Sequence, residues 1–357
     1  MKNYNILSII LLGTLLVNCG DTKKGENSLF TFDNSKFKEQ YQPQEALSLE
    51  ILNSNSKTID SIIYYVNDKK IGSKKGVDKL TFELKDQKLG YQNLKALVYY
   101  EGQNSEATTR VELVSNIQPK LLKYTIVNTY PHDIQAYTQG LEFYRDTLYE
   151  GTGNGSGPSG KRGISSLRKT NYKTGEVYKK VELADKYFGE GITILNNKVY
   201  QLTWKNNEGY VYNADTFKKE KTFTYFKQIE GWGLTNDGKY LYQSDGTEKI
   251  WIIDPTNLKE VDYLNVYSFE SKIKAVNELE WIDGKIYGNV YQKDAIAIIN
   301  PKNGAVEAII NLVDLTKKIT KLEDTDVLNG IAYNPKTKTI FITGKNWDKM
   351  FEIKVSE

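Results

Sequence analysis

Histidine and cysteine are almost absent from this chain. Among its 357 residues there is one of each, His132 and Cys19. One histidine and one cysteine cannot build a Cys/His zinc cage, and they leave no Ser-His-Asp or Cys-His set unless His132 itself takes part. A disulfide within the chain is excluded. An excess of one charge is missing too. A formal net charge of +3, with 26% of residues charged, leaves no basic stripe for nucleic acid. Any chemistry must therefore rest on carboxylates, amides, lysines and aromatic rings, and rings are plentiful, with 26 tyrosines. The length suggests two domains.

The amino terminus has the form of a targeting segment. Lys2 precedes an apolar run from Ile6 to Val17, broken only by Ser8, Gly13 and Thr14. That run is too short to span a bilayer and has the proportions of a signal h-region. Leu16-Val17-Asn18-Cys19 resembles a bacterial lipobox, in which the cysteine is lipidated and becomes the first residue of the mature chain. Residues 1–18 thus read as a lipoprotein signal peptide, 19–29 as a polar tether, and Cys19 as the lipidation site. The expected location is the bacterial cell envelope, lipid-anchored and facing the periplasm or the surface.

Residues 30–118 alternate apolar and polar in short runs such as Leu47-Leu49-Ile51, Ile62-Tyr64-Val66 and Leu80-Phe82-Leu84, with turn residues between them. The pattern predicts a small immunoglobulin-like β-sandwich that carries no catalytic constellation. Its Lys69-Lys70 and Lys74-Lys75 pairs read as solvated turns, and Gln118-Pro119-Lys120 as the linker.

Residues 121–357 contain an internal repeat. A polar or aromatic residue, then Gly or once Glu, then Leu or Ile recurs as Gln139-Gly140-Leu141, Glu190-Gly191-Ile192, Trp232-Gly233-Leu234, Asn277-Glu278-Leu279 and Asn329-Gly330-Ile331. An aromatic follows each at one fixed place, at Tyr149, Tyr200, Tyr242, Tyr287 and Phe341. Four strands per unit and five units make an all-β, five-bladed β-propeller as the expected catalytic domain. Tyr124 to Val127 should complete the last blade, since the fifth unit ends without an outer strand. Helix is confined to one short candidate around Leu315 to Leu322.

In such a ring, equivalent inner-strand residues surround the axis. One set is Gln139, Glu190, Trp232, Asn277 and Asn329, and a second, four places after the recurrent aromatic, is Gly153, Trp204, Gly246, Tyr291 and Lys345. A carboxylate, an ammonium, amides, two indoles and a phenol at one mouth are more than a structural channel needs. His132 reads as a loop hydrogen bonder, and Asp245 as a loop brace or part of a structural cation site.

These blocks resemble the plant and bacterial glutaminyl-peptide cyclotransferases. Tyr137-Thr138-Gln139-Gly140-Leu141, Phe188-Gly189-Glu190-Gly191, Leu202-Thr203-Trp204, Gly231-Trp232-Gly233, Asn277-Glu278-Leu279 and Thr343-Gly344-Lys345 carry the likeness over about residues 122–355. The resemblance implies an enzyme that converts an amino-terminal glutamine to pyroglutamate with release of ammonia. It makes Glu190 the acid/base and places Gln139, Trp204, Trp232, Asn277 and Lys345 in the pocket, with Tyr137 at an aromatic position. Tyr291 stands where the family usually has Trp, and the loop from Gly151 to Ser166 is longer than the family's usual turn.

The chemistry of the residues agrees. An α-amine attacking the side-chain carbonyl of its own residue needs a bent substrate, a base, an oxyanion partner and an acid for departing ammonia. Glu190 can shuttle the proton, Lys345, Gln139 or Asn277 can hold the oxyanion, and Trp204, Trp232, Tyr291 and Tyr137 can wall the substrate. Peptide beyond the first residue or two is expected to project to solvent, with weak sequence preference. No cofactor or catalytic metal is expected; a structural cation such as calcium is compatible but not required. The expected partners are peptides or proteins with amino-terminal glutamine and the lipid anchor, with no nucleic acid and a monomeric state. Two other classes fit a loaded propeller axis, namely a non-catalytic surface-anchored binding propeller and a calcium-dependent propeller lactonase, although a lysine beside a divalent cation is electrostatically poor.

Overall fold

The structure, a computed structural model, describes residues 29–357. The signal-peptide reading, Cys19 and nearly all of the tether therefore lie outside the described residues. The described residues are all-β, with one short α-helix, Val313–Thr316, and one 3-10 turn, Asn34–Lys36. The helix sits earlier than the candidate at Leu315 to Leu322. No helix among the described residues is long and apolar enough to cross a membrane.

From Tyr137 onward the strands form four-stranded antiparallel units. The first comprises Tyr137–Tyr144, Thr147–Gly153, Ser166–Thr170 and Val177–Glu182. The second begins at Gly189–Leu195, the third at Leu234–Asn236, the fourth at Val276–Ile282 and the fifth at Leu328–Asn334. Inner strands are buried along nearly their whole length, while outer strands such as Val177–Glu182 and Lys219–Thr224 are mostly exposed. Second strands such as Thr339–Gly344 are buried as well, so burial falls off at the outermost strands, which form the exposed rim. Arg145-Asp146, Asn196-Asn197 and Asp283-Gly284 join first and second strands with positive φ at both residues. Such two-residue turns match the right-handed strand twist.

The inner strands close a ring. Tyr137–Tyr144 packs against both Gly189–Leu195 and Leu328–Asn334, and Val276–Ile282 packs against Leu234–Asn236 and Leu328–Asn334. The repeat's glycine sits where neighbouring inner strands approach most closely. A Cβ on Gly191 would lie 2.5 Å from the Trp232 carbonyl oxygen, which instead accepts the Gly191 N–H at 2.8 Å. Lys120–Pro131 pairs antiparallel with the final strand, Lys349–Ser356, so the expected pairing of Tyr124 to Val127 with the end of the chain is present. The start of the same strand pairs parallel with Val306–Asn311, joining the fourth and fifth units into one eight-stranded sheet.

The amino-terminal module has a five-stranded sheet, whose longest strands are Gly90–Tyr100 and Gln103–Leu113, and two two-stranded sheets. Lys69–Lys75 is an edge strand rather than a pair of turns, and an edge rich in lysine resists pairing with another chain. The module's core takes in Tyr267 and Ala305 from the fourth unit's side of the ring. Tyr267 donates to Glu112 at 2.7 Å, Lys272 pairs with Glu112 at 3.0 Å, and the Ser115 N–H donates to the Phe269 carbonyl.

Candidate active site

At one mouth of the ring, Tyr137, Gln139, Glu190, Trp204, Trp232, Asn277, Tyr291 and Lys345 line one cavity of about 180 Å³. Every pocket residue named from the sequence is therefore brought to the same place, together with Phe188, which was not singled out. The inner strands supply Gln139, Glu190 and Asn277, and turns after second strands supply Trp204, Tyr291 and Lys345. Asn329 does not line the cavity. It stands behind it, donating through Nδ2 to Gln139 Oε1 at 3.0 Å and to the Thr138 carbonyl at 2.9 Å.

Those bonds orient Gln139, whose Nε2 donates to Glu190 Oε1 at 3.0 Å. Glu190 is buried, and desolvation raises its proton affinity well above the usual carboxylate range, Lys345 opposing and Glu230 reinforcing the shift. Lys345 is buried as well, and desolvation lowers its proton affinity, with Glu190 and Asp326 opposing. Its Nζ lies 4.8 Å from the Tyr137 ring centroid and 5.2 Å from that of Tyr291. No ion pair within 4.0 Å joins Lys345 to Glu190 among the described residues, and the cation lies over the two ring faces. Asn277 lines the cavity, and its Oδ1 is buried with no hydrogen-bond partner among the described residues.

The walls are aromatic. Phe188 packs edge-on against both Tyr137 and Trp204, and Trp232 edge-on against Tyr291 at 5.9 Å. Gly153 and Gly246 leave room for these rings, since a Cβ on Gly246 would lie 2.6 Å from the Trp232 indole. Both indole N–H groups point at one oxygen, Glu230 Oε2, at 2.7 Å from Trp204 and 2.9 Å from Trp232. The Tyr137 hydroxyl donates to Asp326 at 2.7 Å. Sequence reading missed Glu230 and Asp326. Glu230 stands two residues before Trp232, but nothing along the chain signals that it also reaches Trp204.

One sequence reading is extended, and another is met in its first alternative. His132 is more than a loop hydrogen bonder. Its Nδ1 donates to the Trp347 carbonyl at 2.9 Å and its Nε2 pairs with buried Glu150 at 3.0 Å, while Glu150 also accepts from Thr138, next to Gln139. Asp245 braces its loop, accepting from Thr247 and, at 2.8 Å, from Trp251 Nε1.

A closed β-ring with a small aromatic-walled cavity on its axis, holding one carboxylate, one ammonium and unsatisfied amide capacity, is built as an enzyme site rather than as a filled structural channel. The family model described as glutamine cyclotransferase matches residues 96–355. The chain is 36% identical over 245 residues to the glutaminyl-peptide cyclotransferase of Arabidopsis thaliana, spanning 68% of this chain and 74% of that protein. Its structure matches the crystal structure of Myxococcus xanthus glutaminyl cyclase with a TM-score of 0.61 at 29% identity, over 67% of this chain and 99% of that one. The chain belongs to the glutamine cyclotransferase family.

Proposed function

We propose that this protein is a glutaminyl-peptide cyclotransferase, closing the amino-terminal glutamine of peptides or proteins to pyroglutamate with release of ammonia. The observation that carries the reading is the Gln139–Glu190 hydrogen bond of 3.0 Å in a cavity that Lys345 and the two indoles share. In the proposed reaction the substrate's α-amine attacks its own side-chain carbonyl carbon, forming the ring C–N bond. Glu190 takes the proton that the amine sheds. Lys345, whose ammonium has no acceptor among the described residues, and the Asn277 amide hold the oxyanion and the reacting carboxamide. Glu190 then returns the proton to the departing nitrogen, the C–N bond of the carboxamide breaks, and ammonia leaves with Glu190 ionised again. The aromatic walls fold the flexible side chain and exclude water, whose attack would give glutamate instead. Glu230 acts by positioning, holding both indoles in one slot.

The five four-stranded units are read as blades of a β-propeller, and the amino-terminal module as an immunoglobulin-like sandwich. The ring of inner-strand contacts and the strand shared between the chain's two ends support the first reading. Domain limits of 30–118 and 121–357, lipidation at Cys19 with envelope anchoring, and a monomeric state remain part of this proposal, as does catalysis without a metal. The test is to incubate the protein with a Gln-Ala peptide and follow ammonia and the mass of the peptide. Loss of one ammonia per peptide, undiminished by a chelator, is expected; peptide unchanged above the spontaneous rate overturns the reading.

A further inference from the structure

The reaction cavity, at about 180 Å³, has room for one folded residue, so the rest of a polypeptide substrate must lie elsewhere. Beside it is a second cavity of about 720 Å³. The two share a wall. Lys345 lines the first and Asn346 the second. Gly155 of the second packs so closely on Tyr137 of the first that a Cβ there would lie 2.6 Å from the ring.

The second cavity is lined unlike the rest of the surface. Ile134, Ile164, Tyr178 and Leu322 are 47%, 48%, 59% and 41% exposed, four of the eleven exposed large hydrophobic side chains among the described residues. Exposed apolar residues scattered singly need no explanation, whereas a cluster in a concavity marks a binding surface. The rim is cationic. Lys161, Arg162, Lys179 and Lys180 are exposed there and outnumber the carboxylates Glu323 and Asp324, while Asp133 is paired with Arg168 at 2.7 Å. The overhanging loop is already fastened. Asn154 Nδ2 donates to the Asp185 and Tyr187 carbonyls, Arg162 donates to the Asp185 carbonyl, and Ser159 ties the loop to Asp324 in the fifth unit. Binding there would not have to order it first.

We propose that the residues following the substrate's amino-terminal glutamine lie in this groove, which selects substrates carrying an apolar and an acidic side chain in that stretch. The proposal rests on the cyclotransferase reading and departs from the expectation that downstream residues project freely into solvent.

The test compares a Gln-Ala dipeptide with two longer peptides beginning Gln-Ala, one continuing with leucine and aspartate residues and one with glycine and lysine residues. Turnover and direct binding of fluorescently labelled forms are both measured, on the native protein and on Lys161→Glu and Tyr178→Ser variants. The acidic-apolar peptide is expected to show a KM about tenfold below that of the basic one, an advantage each variant reduces while dipeptide turnover is unchanged. Equal affinity for the two long peptides, by either measurement, overturns the groove assignment, as does an equal effect of the variants on all three substrates. Failure of the native protein to turn over the dipeptide overturns the reaction reading instead, and the binding measurement still judges the groove.

Discussion

Two sets of glutamates sit on the inner strands, buried except for half-buried Glu142, and they differ in how completely the protein satisfies them. Glu278 stands where the other four units have glycine, and its two oxygens accept the Leu141 N–H at 3.1 Å and the Ile331 N–H at 2.9 Å. Glu142 accepts the Ile194 N–H, and Glu280 the Tyr333 N–H at 2.7 Å. These side chains fasten neighbouring inner strands across the ring. Glu190 is buried, yet its one donor among the described residues is a side-chain amide, Gln139. Desolvation raises the proton affinity of all four. A perturbed carboxyl therefore does not identify the reactive group here; spare hydrogen-bonding capacity facing a cavity does.

The largest test of that contrast is Glu190→Gln. The substitution keeps shape and burial, so the fold should persist with an unchanged Tm. Ammonia release should fall about 10³-fold, within the range for loss of a general acid/base. Near-normal release by a folded variant would end the proton-shuttle role. Lys345→Met should follow, lowering kcat about 10²-fold in steady-state kinetics through loss of an oxyanion partner.

Glu278→Gln should do the reverse. An amide NH₂ would face a buried backbone donor, costing about 1–3 kcal/mol of stability, measurable by urea denaturation, with kcat retained. A catalytic loss without a stability loss would erase the distinction between the two sets.

The pH dependence of stability sharpens it further. Burial pushes Glu142 up to about 8, and Glu278 and Glu280 are also raised. A carboxyl whose folded proton affinity is raised contributes stability that is full below the ordinary carboxylate range and is lost as pH rises through the raised value. Tm should therefore fall between about pH 5 and pH 8, and Glu142→Gln should flatten the slope. His132, raised beside Glu150 despite its burial, adds in the same direction, because its proton also leaves as pH rises.

Glu230→Gln should give the smallest effect. Removing that negative charge eases deprotonation of Glu190, so the acid limb of kcat/KM should move to lower pH. Both indoles lose their shared charged acceptor, and KM should rise a few-fold.

The repeat made the inner strands and most of the pocket readable, because each unit writes the same short pattern and a ring converts equal positions into neighbours. Gln139, Glu190, Trp204, Trp232, Asn277, Tyr291 and Lys345 could be gathered on that basis alone. Glu230 could not, because its role depends on a bond to Trp204, 26 residues away, that no periodicity encodes. The same holds for the glutamate in place of glycine at Glu278, which reads as a lapse in the pattern until its carboxylate is seen bridging two other units.

Taken alone, the sequence determined which chemistries are out of reach, where the strands turn, and which side chains face the axis, all properties of composition and local spacing. Tertiary structure decided which buried carboxylate is satisfied by backbone and which is left for a substrate, how the indoles are held, and where a groove opens beside the pocket. Those outcomes depend on distances of a few ångströms between residues far apart in the chain, and only the closed ring sets them.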